Sequence, residues 1–262
     1  MIKMLKEKRF DNKRGQIAIF VIVALAIVVA IVLVFLFRDK IGITAGSEEP
    51  VGQIQRCIQE SVELGVDIVS VQGGAINPSN YILYDGKKID YLCYATEDLE
   101  RCVMQKPLLS KSIETELVSF SEDKIKSCVD GVVSSLKDKD YEVSVKDYDI
   151  EIDLIPNNII ISLNNIDLTI SKGEVQTYKD IRTDINNNIY SLAMISMSIA
   201  NWEAQFGKAD TVSFMASYPW LKIEPKPQDD GSDIYVLTDI NTGDKFIFAI
   251  RSMVVPVGLT GE

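Results

Sequence analysis

Lys13-Arg14-Gly15-Gln16-Ile17-Ala18-Ile19-Phe20-Val21, continuing without a polar side chain to Phe37, decides how the rest of this 262-residue chain is read. The uncharged run from Ile17 to Phe37 is 21 residues long. At the rise of a helix it would span roughly 30 Å, the thickness of a bilayer's hydrocarbon core. A basic patch precedes the run, and a small residue, Gly15, stands at the junction.

Charge divides at the same place. Residues 1–15 hold six basic side chains against two acidic ones, Glu7 and Asp11; the remaining residues hold 21 bases against 36 acids. A basic flank before an apolar span stays in the cytoplasm. The acidic bulk is therefore expected outside the cell membrane, in a single-pass arrangement with a cytoplasmic N-terminus. No basic stripe is available to neutralise phosphates, which argues against nucleic acid as a partner.

A cleaved secretory signal has a shorter apolar core, about 7–15 residues, followed by a small-residue cleavage site. Here the run is longer, and Thr44-Ala45-Gly46 is a poor site. One reading is an uncleaved signal anchor. The other starts from the small residue before the run. Lys13, Arg14, Gly15 and Gln16 followed by a long apolar helix resemble the class III leader of archaeal type IV pilin precursors. The resemblance covers about 30 residues. It implies a prepilin-type peptidase that cuts after Gly15, a mature chain starting at Gln16, and self-association through the 16–41 helix in a surface filament. Many pilins carry a glutamate five residues into the mature chain; Phe20 stands there in this sequence.

The chain has no histidine. That removes the usual general base of serine and cysteine hydrolases and the commonest metal ligand. The four cysteines are Cys57, Cys93, Cys102 and Cys128, with no C-x-x-C pair. In an exported chain an even count favours disulfides. Cys57 and Cys128 fall on the apolar faces of two predicted helices, and Cys93 and Cys102 enclose a short loop. The preferred pairing is Cys57–Cys128 with Cys93–Cys102.

Beyond a break at Gly42, Gly46 and Pro50, helical spacing runs through Val51, Ile54, Cys57, Ile58, Val62, Gly65, Ile68 and Val69, and Gly73-Gly74 stops it. A second helix is predicted from about 108 to 136, on Ile113, Leu117, Ile125, Cys128, Val129, Val132 and Leu136. Period-two alternation follows from Tyr141: Val143 and Val145, then Ile150, Ile152 and Leu154, a turn at Pro156-Asn157-Asn158, and strands near 159–161 and 166–170. A third helix is predicted over about 175–206, on Ile181, Ile185, Leu192, Ile195, Ile199 and Trp202. Strands over 220–223, 234–238 and 245–251 complete the chain, the last two joined by a hairpin turn at Asn241-Thr242-Gly243-Asp244.

Few motifs carry chemistry. The stretch 239–244 departs from a calcium loop, with glycine at its fifth position and Ile250 at its twelfth. Asp229, Asp230 and Asp233 read as a solvated turn, and Asp149, Glu151 and Asp153 as the wet face of a strand. Tyr218-Pro219-Trp220 is a candidate aromatic contact for a partner or glycan, although aromatics entering a strand more often belong to the core. No glycosylation sequon occurs.

The expected architecture is α+β: one N-terminal transmembrane helix, a disulfide-stapled helical layer, and an antiparallel sheet packed with a long helix. The expected segments are a leader over 1–15, a membrane helix over 16–41, a linker over 42–50, a helical cysteine-containing subdomain over 51–140 and an α+β subdomain over 141–262. The expected role is structural, a pilin-like subunit partnered by membrane lipid, without enzyme activity, cofactor or metal. The alternatives are an anchored binding module that does not polymerise and, third, an ectoenzyme using carboxylates.

Overall fold

A computed structural model describes residues 49–97 and 100–252, together with Leu25. The chain divides into two units, 1–48 and 49–262, and only the second is described in any length.

Helix α1 (Pro50–Val71) opens on proline, whose missing N–H costs nothing in a first turn. It buries Ile54, Ile58, Val62, Val66 and Val69 along one face. Gly73 and Gly74 end it in the left-handed region, at φ 69° and 83°, and the Gly74 N–H donates to the Val69 carbonyl at 2.8 Å. A side chain on Gly74 would meet Ile113 Cγ1 at 2.9 Å, so glycine serves both the turn and the close approach of helix α2 (Leu109–Lys137). Helix α2 buries Ile113, Leu117, Ile125 and Val129. Where the helices pack, Cys57 is bonded to Cys128, with Cα atoms 6.3 Å apart.

The twelve strands among the described residues form three sheets. The largest contains β1 (Tyr81–Tyr84), β2 (Lys87–Tyr94), β3 (Val103–Met104), β10 (Leu221–Pro227), β11 (Asp233–Asp239) and β12 (Lys245–Arg251). Its order is β1-β2-β12-β11-β10, with β3 also paired to β2. Strands β12 and β2 run parallel, placing Ala249 opposite Tyr91 and Ile250 opposite Cys93. The second disulfide, Cys93–Cys102, ties the β2–β3 connection with Cα atoms 5.3 Å apart. A second sheet joins β5 (Asp149–Ile155), β6 (Asn158–Asn164) and β9 (Ile181–Asn186); a third joins β4 (Glu142–Ser144), β7 (Leu168–Lys172) and β8 (Glu174–Tyr178). Both are antiparallel throughout.

Helices α1 and α3 (Ile189–Phe206) touch strands of the six-stranded sheet and also of the β5-β6-β9 sheet. One apolar core includes residues from Ile54 to Ile250. A smaller cluster of Ile89, Tyr91, Ile234 and Ala249 sits on the other face of the large sheet. Gln55 and Gln59 of α1 donate their side-chain amides to the β9 carbonyls of Arg182 and Asp184, at 2.8 and 2.7 Å. These bonds satisfy an edge strand that would otherwise invite pairing.

The expected architecture is corrected here. The fold is α+β, but three sheets replace one, and the largest is mixed. The long helix is 18 residues, starting at Ile189. Residues 174–178 and 181–186 are strands instead. The Ile181–Ile185 spacing misled because four is an even number: it repeats on one face of a strand as well as on one face of a helix. Val175, Thr177 and Thr183 add β-branched preference, and Asn186-Asn187-Asn188 interrupts before the true helix. Among the described residues no helix is long and apolar enough to cross a membrane. The expected membrane helix over 16–41 lies outside the described residues.

Replacing Cys57 and Cys128 by serine is expected to lower the unfolding free energy by about 2–4 kcal/mol, because the bridge closes a long loop. Urea denaturation of the double variant checks this, and a midpoint unchanged from wild type would refute it. Gly74→Ala is expected to cost about 1–3 kcal/mol, since strain in the left-handed region adds to the contact with Ile113. The same urea titration measures it.

Candidate functional site

The predicted processing residues Lys13, Arg14, Gly15 and Gln16 lie outside the described residues. The four cysteines are brought together in the two preferred pairs, Cys57–Cys128 and Cys93–Cys102.

The acidic motifs are structural where they are described. On β5, Asp149 and Glu151 are exposed while Ile152 and Leu154 are buried. Asp230 accepts from the backbone N–H and hydroxyl of Ser232, and Asp233 pairs with Lys208 at 3.1 Å. The 239–244 turn does more than reverse the chain. Asp244 accepts from the Asn188 backbone N–H at 2.9 Å and the Asn187 side-chain amide at 3.1 Å; Asp239 accepts from the Asn188 side-chain amide at 2.8 Å. The two carboxylates thus hold the N-terminus of α3, where the helix dipole favours negative charge. Among the described residues no group of three or more histidine, cysteine, aspartate or glutamate side chains is placed to hold a metal ion.

A surface concavity lies beyond the other end of α3. Gly207 ends that helix, and Asp210 caps the short helix α4 (Thr211–Ser217) by accepting from the Val212 and Ser213 N–H groups at 3.1 and 3.3 Å. Between α3 and α4 opens a cleft of about 330 Å³ lined by Trp202, Asp210, Ser213, Phe214, Ser217 and Tyr218. Trp202 is 45% exposed, Phe206 59% and Tyr218 39%. Trp202 and Phe206 are one turn apart, with ring centroids at 4.9 Å. Tyr218 meets Trp220 edge-on at 6.0 Å. The reading of Tyr218 as a core residue is corrected: the seven-residue helix α4, absent from the sequence expectation, leaves Tyr218 at a rim. Trp220, two residues on, packs against the core.

One buried acid supports this rim. Glu203 is 3% exposed and adjoins Trp202 in sequence. Its Oε1 accepts from the Tyr235 hydroxyl and from the Ala209 N–H, the latter at 3.2 Å. The bond to Ala209 holds the segment that delivers Asp210 to the cleft. Burial raises the Glu203 carboxyl above its usual range, against the opposing hydrogen bonds from Tyr235 and Ala209. Burial, followed by the nearby Glu203 charge, pushes the Tyr235 phenol upward, so it remains a donor. At the cleft itself, hydrogen bonding to Ser213 holds the Asp210 carboxyl below its usual range, and it is ionised.

Compared with known proteins, the chain matches no protein-family model, no curated protein and no solved structure.

The sign of the Glu203 effect is definite. Between the ordinary carboxylate range and the raised one, folded Glu203 keeps a proton that the unfolded chain has released. Its contribution to stability is therefore present at low pH and lost as pH rises through that window. Glu203→Gln is expected to flatten this fall. Urea unfolding of wild type and variant at about pH 4.5, 6 and 8 measures it; parallel pH profiles would refute it.

Proposed function

We propose that this chain is a membrane-anchored, extracytoplasmic structural protein that resembles a type IV pilin-like subunit of an archaeal surface filament. The observation that carries the reading is the order Lys13-Arg14-Gly15-Gln16 followed by the uncharged run 17–37. The apolar segment has to be covered by lipid or by like segments. The leader glycine is the point at which a prepilin-type peptidase would release Gln16 as the new N-terminus. After extraction from the bilayer, the segments 16–41 of neighbouring copies would pack together and display the acidic unit outward.

Two features of the described unit support an extracytoplasmic setting. Both disulfides need an oxidising compartment to persist, and all four cysteines are consumed in them. The formal charge outside residues 1–15 is strongly negative, which suits a translocated segment behind a basic flank.

A second reading is favoured by Phe20. Where filament subunits of this kind commonly carry a glutamate, this chain has an apolar ring, and a carboxylate that could pair with a neighbouring subunit's N-terminus is missing. On that reading the protein stays a single anchored module and recruits a ligand.

Intact-mass measurement of the membrane-associated protein separates these readings. A mature chain beginning at Gln16, lost in a Gly15→Val variant, is the expected result. A chain that keeps residues 1–15 in both proteins would overturn pilin-type processing. Pelleting of the processed protein as a polymer then tests assembly, and a strictly monomeric processed protein would favour the second reading.

A further inference from the structure

The chemistry of the cleft between α3 and α4 is specific enough to name a ligand class. Its walls combine aromatic faces with a particular hydrogen-bonding remainder. The Asp210 carboxylate accepts from two backbone N–H groups and from the Ser213 hydroxyl, the last at 2.6 Å. The Ser217 hydroxyl donates to the Ser213 carbonyl at 3.0 Å. The serine donors are therefore committed within the protein, and what the two hydroxyl oxygens and the carboxylate still offer is lone pairs. Two complementary donors are open: neither the Trp202 indole N–H nor the Tyr218 hydroxyl has a partner among the described residues.

Charge narrows the class further. Among the described residues that line the cleft, Asp210 is the one charged side chain and none is lysine or arginine. An anionic ligand would meet a carboxylate and gain no counter-charge. A purely aliphatic ligand would strip water from Asp210 and from two open donors with nothing in return. A metal ion would find one carboxylate, whose oxygens already accept three hydrogen bonds, and no further acidic side chain among the described lining residues; an organic ammonium, which aromatic faces beside a carboxylate also attract, is the competitor that the choline control decides.

A neutral sugar ring meets every requirement. Its hydroxyl groups donate to the lone pairs and accept from Trp202 and Tyr218, while its C–H face lies on an aromatic face. The volume of about 330 Å³ suits one or two rings. Trp202, Phe214 and Tyr218 line the cleft, and the exposed Phe206 beside Trp202 would extend the aromatic surface along a chain of sugars.

We infer that the cleft formed by Trp202, Asp210, Ser213, Phe214, Ser217 and Tyr218 is a subsite for a neutral glycan. The inference does not rest on the filament reading: it holds equally for an anchored module, and a subunit that polymerises without binding sugar would leave only this inference refuted.

Indole fluorescence of the full-length protein provides the test, because the chain has two tryptophans and Trp202 stands in the cleft. The probes are maltotetraose, cellotetraose and chitotetraose, with tetragalacturonate as the anionic control and choline as the cationic one. A saturable change with at least one neutral tetrasaccharide, at a Kd in the millimolar range or tighter, is expected. Tyr218→Ala should weaken it by about tenfold or more, whereas Leu83→Ala, an exposed change on β1, should leave it alone. Isothermal titration of the wild type repeats the measurement without relying on any variant's folding. Lack of a response to all three neutral sugars up to about 50 mM would overturn the inference. So would equal or tighter binding of choline or tetragalacturonate, or a neutral-sugar response that Tyr218→Ala leaves unchanged.

Discussion

Helix α1 has to be covered on more than one side, and the rest of the described unit is arranged around that requirement. Its buried face includes five aliphatic side chains, each worth roughly 1.5–3 kcal/mol when removed from water. No single partner could enclose it. Helix α2 packs along it and is stapled to it by Cys57–Cys128. Strand β9 lies against Gln55 and Gln59, whose amides bond its carbonyls. Strand β12 meets its end, where the Gly73 N–H donates to the Ile247 carbonyl at 2.8 Å. A helix held in this way couples two sheets that share no strand.

The buried carboxylates follow the same logic, since each connects separate elements. Glu114 of α2 is buried and accepts the Leu154 N–H of β5 at 3.1 Å, with Lys111 closing the other oxygen at 2.9 Å. Asp90 is 5% exposed and lies 2.5 Å from Lys106; burial still raises its carboxyl above the usual range. Asp239 and Asp244 join the β11–β12 turn to α3, and Glu203 joins the other end of α3 to β11. Each carboxylate is satisfied by a donor from a different element, which is how a buried polar group adds specificity to an otherwise apolar contact. Glu203 has a further consequence, since the loop it holds carries the polar wall of the aromatic cleft.

The proposed anchor and the proposed glycan subsite lie on separate parts of the chain. The proposed anchor is carried by residues 13–37 and by charge asymmetry, both properties of local sequence. The proposed glycan subsite is carried by the cleft that Trp202 of α3 lines together with residues of α4 and its two flanks. The two disulfides bear on both proposals, because they brace the described unit and persist in an oxidising compartment.

Local order was legible wherever the periodicity was unambiguous. Helix α1 was read as opening at Val51 and ending before Gly73, and the structure ends it at Val71; the helical faces also pointed to Cys57–Cys128. Strand β5 is legible in the alternation of Ile150, Ile152 and Leu154 and its end in the turn signal at Pro156-Asn157-Asn158, and strand β12 is read at its observed bounds. Three things were decided by the tertiary structure alone. Residues 174–178 and 181–186 are strands because β7 and β6 offer them partners, while the four-residue isoleucine spacing fits either period. The parallel pairing of β2 with β12 joins segments about 150 residues apart, and nothing local to either announces it. The cleft needs Trp202 and Tyr218 on one rim, which follows from a seven-residue helix too short to leave a periodic signal. The sequence by itself thus determined the cysteine pairing and the elements whose hydrophobic period is complete within one segment. Strand partners and buried acids were left to the fold, because each depends on residues far apart in the chain meeting across a packed core.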